Sequence, residues 1–224
     1  MIPEVKKLLE ELIDRYPLLQ SIETQIADTY YALEETYANK GKLLVAGNGG
    51  SAADAEHIVG ELMKSFKNSR TIDQNMIQAL EDIDSEKGRW IGEKLQGALP
   101  AIAVVDHLAL STAYLNDVNP LLGIAQQVYG YGNEHDTFLG ISTSGNSENI
   151  LYAATVAKAK GLKVIALTGG TGGKLKELAD IAVIVPETET YKIQEFHLPI
   201  YHTLCLMLEE RFFGKLFGGV QQNV

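Results

Sequence analysis

The sequence predicts an α/β fold: a three-layer sandwich in which a five-stranded parallel sheet carries helices on both faces. Two observations predict it. Five short apolar runs, Lys42–Ala46, Ala101–Val105, Thr137–Ile141, Lys163–Leu167 and Ile181–Val185, recur with helical spacing between them. Runs this short, bounded by turn residues and lacking polar alternation, read as strands buried on both faces. Polar or glycine-rich residues also follow four of the runs in turn: Gly47–Ser51, Asp106, Ser142–Ser147 and Thr168–Gly173. Ligands of such sheets bind outside the carboxyl ends of the strands.

Residues 3–40 precede the first run with helical periodicity, through Leu8, Leu9, Leu12 and Ile13, then Ile22, Ile26, Tyr30 and Leu33. Pro17 breaks the pattern, so two helices are expected. Their apolar faces exceed what one small domain uses; packing on the sheet and pairing of subunits both stay open. Between the first two runs, residues 67–99 form a charge-rich insertion with Ile77, Leu80, Ile83, Trp90, Ile91 and Leu95 at helical spacing. It reads as a helical excursion outside the chemistry, or as a lid or an arm toward a neighbouring subunit. All 224 residues form a single domain, with a frayed end at 214–224.

With 46% apolar residues the chain has material for a substantial core. Its net charge of −10 argues against nucleic-acid binding, which needs basic surface. No apolar run approaches the roughly 18 residues a membrane span needs, and Met1–Lys7 opens an amphipathic helix rather than a signal peptide. Cys205 is the only cysteine, which excludes an intrachain disulfide and makes a cytoplasmic location the expectation.

The organising stretch is Gly47-Asn48-Gly49-Gly50-Ser51, where a strand turns on glycines into a helix that runs to about Phe66. Free first-turn N–H groups and the positive end of the helix dipole make such a turn an anion site. Ser51 adds a hydroxyl. Two turns on, His57 and Glu61 stand four residues apart on one helix face. A second strand-to-helix turn, Gly140-Ile141-Ser142-Thr143-Ser144-Gly145-Asn146-Ser147, gathers four hydroxyls, with Ser147 as the expected N-cap. Together the two turns suit a phosphate monoester held by neutral donors. No Gly-Lys-Ser/Thr follows the glycines, so nucleotide hydrolysis is not indicated. Gly47-x-Gly49-x-x-Ala52 fits a relaxed dinucleotide fingerprint but lacks the acidic residue about 20 positions on. The third motif, Lys192–His202, opens a long final helix. Gln194 and His202 can face one cleft there, His197 reads as structural, and Pro199 should kink the helix.

Those stretches, Ala46–Glu61, Gly140–Ser147, Leu167–Asp180 and Ile193–His202, resemble the sugar isomerase (SIS) fold family, and within it the sedoheptulose 7-phosphate (phosphoheptose) isomerases. The likeness spans about residues 20–210, apart from 67–99, where the family has a short link. Tyr191 stands where family members often have an acidic residue. The resemblance implies ketose–aldose isomerisation through an enediol, with Glu61 as base and His202 as acid. It implies phosphate contacts from Ser51, Ser142, Thr143, Ser144 and Ser147, sugar contacts from Asn48 and Asp106, and further substrate-binding positions at Gly49 and Gln194. In zinc-binding members His57, Glu61, Gln194 and His202 match the ligand positions, so one zinc per site is expected. A homotetramer with clefts between subunits follows from the same likeness and the surplus apolar faces. The alternative is a noncatalytic SIS protein that binds a replication initiator or senses a sugar phosphate; the relative that binds an initiator lacks the acid/base side chains found here at 61 and 202.

Overall fold

The computed structural model describes residues 1–105 and 107–214. Asp106, one of the expected sugar-contact positions, and the end segment beyond Gly214 lie outside the described residues.

Helix α1 (Pro3–Arg15) starts on Pro3, where the missing N–H costs no hydrogen bond, and Pro17 opens a short 3₁₀ turn, Pro17–Ile22. Helix α2 (Glu23–Ala38) leads into β1 (Leu43–Ala46). Then come α3 (Gly50–Met63), α4 (Gln74–Ile83), α5 (Ser85–Lys94), β2 (Ala101–Ala103), α6 (Leu108–Asp117) and α7 (Gly123–Tyr131). The chain continues through β3 (Thr137–Ile141), α8 (Glu148–Ala159), β4 (Lys163–Gly169), α9 (Leu175–Leu178), β5 (Ile181–Val185) and α10 (Thr190–Phe213).

All five strands are parallel, in the order β2-β1-β3-β4-β5. The chain runs from β1 to β2 on one side and then crosses back to β3 on the other side of β1. This is the topological switch point at which a crevice opens above the sheet. The loops after β1 and β3 border that crevice.

Side-chain alternation along the strands feeds two cores. Leu43, Val45, Leu139, Ile141, Ile165 and Leu167 pack against α1, α2, α3 and α10. Leu44, Ala46, Phe138, Val164 and Ala166 face the other way, against α7, α8 and α9. Each buried aliphatic side chain contributes about 1.5–3 kcal/mol of burial energy, so both faces are strongly anchored.

Several boundaries differ from the sequence expectation. The second strand stops at Ala103 instead of Val105, because as the sheet edge it pairs only with Leu43–Val45. Helix α3 ends at Met63, short of Phe66. Its last carbonyls are taken from outside: Arg70 Nη1 donates to the Leu62 oxygen at 2.7 Å, Arg70 Nη2 to that of Glu61 at 3.1 Å, and Leu99 N to Leu62 O at 3.0 Å. Pro199 lies inside α10 without ending it. The insertion is a helical hairpin, α4 against α5, closed at its base by a Thr71–Gln96 bridge.

Candidate active site

At the end of β1 the chain turns in the space of a few atoms. A Cβ on Gly47 would stand 2.3 Å from the Ser51 carbonyl oxygen, so only glycine fits. Gly49 caps α3 at φ +57°, a conformation other residues rarely adopt. The first turn of α3 differs from the open cradle expected. Ser51 N donates to Asn48 O at 3.0 Å, and Ala52 N and Ala53 N both point at Gly49 O. Fewer free donors remain there than the sequence suggested. The Ser51 side chain is buried at this turn.

The loop after β3 is arranged differently. Ser142 and Ser147 join their hydroxyls at 3.0 Å, so Ser147, although in the N-cap position, turns away from the capping role expected. The first-turn amides of α8 therefore keep no side-chain cap from Ser147 and face the loop. Ser144 Oγ accepts from Asn146 N at 3.2 Å, while the Thr143 hydroxyl makes no hydrogen bond among the described residues. Gly145 has φ +65°, and a Cβ there would meet Gly172 O at 1.9 Å. Asn146 Oδ1 accepts from Lys174 N at 3.1 Å. The loop after β4 thus braces the hydroxyl loop from behind.

Asn48 and Asn149 tie the two turns together. Asn48 Nδ2 donates to Asn149 Oδ1 at 3.0 Å, and Asn149 Nδ2 donates back to Asn48 Oδ1 at 2.8 Å. A cavity of about 260 Å³ opens beside this pair, lined among others by Gly47, Gly49, Ser111, Pro120 and Ile124. Asn149 went unnoticed in the sequence; its pairing with a residue 101 positions away leaves no local trace.

Further along α3, His57, Glu61 and His202 meet. His57 Nε2 stands 3.3 Å from Glu61 Oε1 and 3.4 Å from His202 Nε2. The Glu61 side chain is 12% exposed, and its Oε2 accepts from Lys64 Nζ at 3.0 Å. His57 and His202 cross edge to face with ring centroids 4.9 Å apart, and Phe66 covers His202 from 5.4 Å. Burial first, and then the neighbouring His57, hold the His202 pKa below the usual histidine value, against the pull of Glu61. Behind the cluster, Tyr201 hydrogen-bonds both His57 and Asp54.

Gln194 reaches the start of the same helix. Its amide packs on Gly50, at the start of α3, and makes no hydrogen bond among the described residues. His197 is fully buried, with Nε2 3.3 Å from the Thr168 carbonyl, and burial pushes its pKa down to about 4. It is a structural residue, as its position on the helix suggests. Cys205 is buried, and its thiol is pushed up to about 12, chiefly by burial, which leaves no thiolate for nucleophilic chemistry.

The donors bear on the zinc expectation through their spacing. Ligand atoms about 2.0–2.1 Å from a tetrahedral zinc lie about 3.3 Å from one another. The two spacings at His57 match that edge, and imidazole nitrogens with a carboxylate are suitable zinc ligands. As they stand, however, no three His, Cys, Asp or Glu side chains among the described residues form a group that could hold a metal ion. The donor types and paired spacings fit; a closed coordination shell is not present.

The chain is similar to known proteins over most of its length. A family model described as the SIS domain matches residues 93–169. The phosphoheptose isomerase of Helicobacter pylori (strain P12) is 38% identical over 197 residues, covering 88% of this chain and 89% of that protein. The phosphoheptose isomerase of Aneurinibacillus thermoaerophilus is 38% identical over 187 residues, covering 84% and 81%. The chain belongs to the phosphoheptose isomerase family. The solved phosphoheptose isomerase from Francisella tularensis superimposes with a TM-score of 0.72 at 33% identity, covering 92% of this chain and 97% of that one. The phosphoheptose isomerase GmhA from Neisseria gonorrhoeae gives 0.67 at 28% identity, covering 92% and 94%. Membership makes the protein an aldose–ketose isomerase acting on a sugar phosphate. No helix among the described residues is long and apolar enough to cross a membrane.

Proposed function

We propose that the chain converts sedoheptulose 7-phosphate to D-glycero-D-manno-heptose 7-phosphate. The observation that carries this reading is the convergence of Glu61 and His202 on His57, at 3.3 and 3.4 Å, from two helices separated by most of the sequence.

The phosphate sits among the hydroxyls of Ser51, Ser142, Thr143, Ser144 and Ser147, near the Gly49 backbone and the first turn of α8. Neutral donors and the helix dipole hold the dianion there against the protein's own negative charge. Asn48, oriented by Asn149, contacts sugar hydroxyls with Gln194 and Asp106.

At the other end of the substrate, the Glu61 carboxylate takes a proton from C1, giving the enediol, and returns it to C2. His202 supplies the proton that O2 gains and accepts the one that O1 gives up. A half-buried imidazole whose pKa is depressed is neutral near pH 7, so it can carry out both transfers. Zinc, where bound, would be held by His57, Glu61, Gln194 and His202 and would polarise the carbonyl.

A homotetramer with clefts between subunits suits this reading. Helix α6 buries none of its residues and exposes Leu108 and Leu115, with Val118 exposed just past its end, while its Ser111 lines the cavity beside Asn48. A neighbouring subunit on α6 would wall that cavity. Light scattering is expected to give four chains per particle, and a monomer would contradict the assembly. A cytoplasmic setting accords with a lone buried thiol. The noncatalytic reading loses support because both acid/base side chains stand in one cluster.

The deciding experiment follows sedoheptulose 7-phosphate with purified protein by carbon NMR, with shorter phosphoketoses in parallel. Preferential formation of the aldoheptose phosphate supports the assignment. Turnover of a shorter phosphoketose alone would move the substrate, and turnover of none would favour a binding protein.

A further inference from the structure

Among the groups that touch the reactive cluster, Tyr201 and Asp54 have no place in the scheme above, and their geometry carries a consequence for His57. Tyr201 stands one residue before His202 on α10, is 2% exposed, and lays its ring edge to face against both imidazoles. Its hydroxyl donates to Asp54 Oδ1 at 3.1 Å and lies 3.0 Å from His57 Nδ1. Asp54 is one turn before His57 on α3, so the carboxylate, the phenol and the imidazole form a closed local chain.

A phenol has one proton to give. A carboxylate only accepts. With the Tyr201 proton spent on Asp54, the phenol oxygen can meet His57 Nδ1 only as an acceptor, so Nδ1 must bear the imidazole proton. In a neutral imidazole that leaves the lone pair on Nε2. The Nε2 atom is the one aimed at Glu61 Oε1 and His202 Nε2.

We propose that Tyr201, set by Asp54, is a positioning residue that locks His57 as its Nδ1–H tautomer and so keeps the Nε2 lone pair turned into the reactive cluster. The lock has two effects. An electron pair is always presented where a cation or the His202 N–H must be met. His57 is also barred from placing its own proton between itself and Glu61, which leaves the carboxylate free for substrate. Outer hydrogen bonds of this kind fix the tautomer and ring orientation of ligating histidines. The inference rests on His57 belonging to the site, but its test does not depend on turnover.

The chain supplies an internal control. His197 Nε2 faces the Thr168 carbonyl, which only accepts, so His197 must be the opposite tautomer, Nε2–H. Two-bond proton–nitrogen correlation NMR on histidine-labelled, metal-free protein at neutral pH distinguishes the two forms. The expected wild-type spectrum shows His57 as Nδ1–H and His197 as Nε2–H. Tyr201→Phe keeps the ring and its packing while removing the hydroxyl, and should shift His57 toward Nε2–H, the form imidazole favours in water. The His197 signals should stay in place, showing that the fold is kept. A wild-type His57 found as Nε2–H, or a Tyr201→Phe protein with an unchanged His57 tautomer, would overturn the proposal. If the wild type shows the Nδ1–H form but isomerises no sugar phosphate, the proposed function falls and this inference stands.

Discussion

Arg70 Nε donates to Glu209 Oε1 at 2.8 Å, and neither side chain is exposed to solvent. Glu209 also accepts from the amides of Phe66 and Lys67 at 2.8 Å and of Asn68 at 2.9 Å. The guanidinium meanwhile holds the Glu61 and Leu62 carbonyls at the end of α3. One buried ion pair therefore joins the helix bearing Glu61 to the helix bearing His202, through the start of the insertion.

Breaking that pair should be costly on two counts. Glu209→Ala leaves a buried guanidinium and three backbone donors without a carboxylate, and is expected to destabilise the fold by about 3–5 kcal/mol. Urea unfolding reads the loss. Arg70→Ala should match it in stability and also lower turnover, because the Glu61 turn of α3 loses its guanidinium donors.

The reciprocal amide pair of Asn48 and Asn149 should act on substrate binding more than on the chemical step. Asn149→Ala removes both hydrogen bonds that orient Asn48, each worth about 1 kcal/mol. The expected result is a rise in KM for the sugar phosphate of about tenfold with a smaller change in kcat, read by steady-state kinetics.

The hydroxyl pair of Ser142 and Ser147 tests the phosphate assignment. Ser147→Ala should weaken inhibition by inorganic phosphate, a probe blind to the sugar, by roughly tenfold if one or two hydrogen bonds to the dianion are lost. Unchanged phosphate inhibition would move the anion site elsewhere.

Acid should weaken the fold through His197. Its folded pKa of about 4 lies below the unfolded value of 6.5, so between these values the unfolded chain binds a proton that the native chain refuses. Stability is fully present above pH 6.5 and lost as the pH falls toward 4, by about 3 kcal/mol from this group. Denaturant unfolding at pH 7 and pH 4.5 should show the loss, and His197→Gln should show a shallower one.

Much of the fold is legible in the sequence because strands covered by helices leave short, mostly apolar runs: Thr137–Ile141 and Ile181–Val185 match their runs end to end. Helical spacing likewise put His57 and Glu61 on one face of α3, where they are in contact. Strand and helix ends were harder. Whether Phe66 belongs to α3 is decided by Arg70, which contacts carbonyls eight and nine residues away. The first turn of α3 closes on the Asn48 and Gly49 carbonyls, a matter of backbone angles that residue types do not specify. Asn149 and Tyr201 matter through partners 101 and 144 residues distant, and only the assembled sheet brings them together.

Turnover of Glu61→Gln and His202→Ala measures the central claim most directly. Both substitutions act on side chains at one cluster, and acid–base groups each contribute about 10²–10⁴-fold. The account predicts that each variant, folded and still binding the sugar phosphate, loses kcat on that scale, and that the double variant loses far less than the product of the two. Wild-type turnover in either single variant would contradict it.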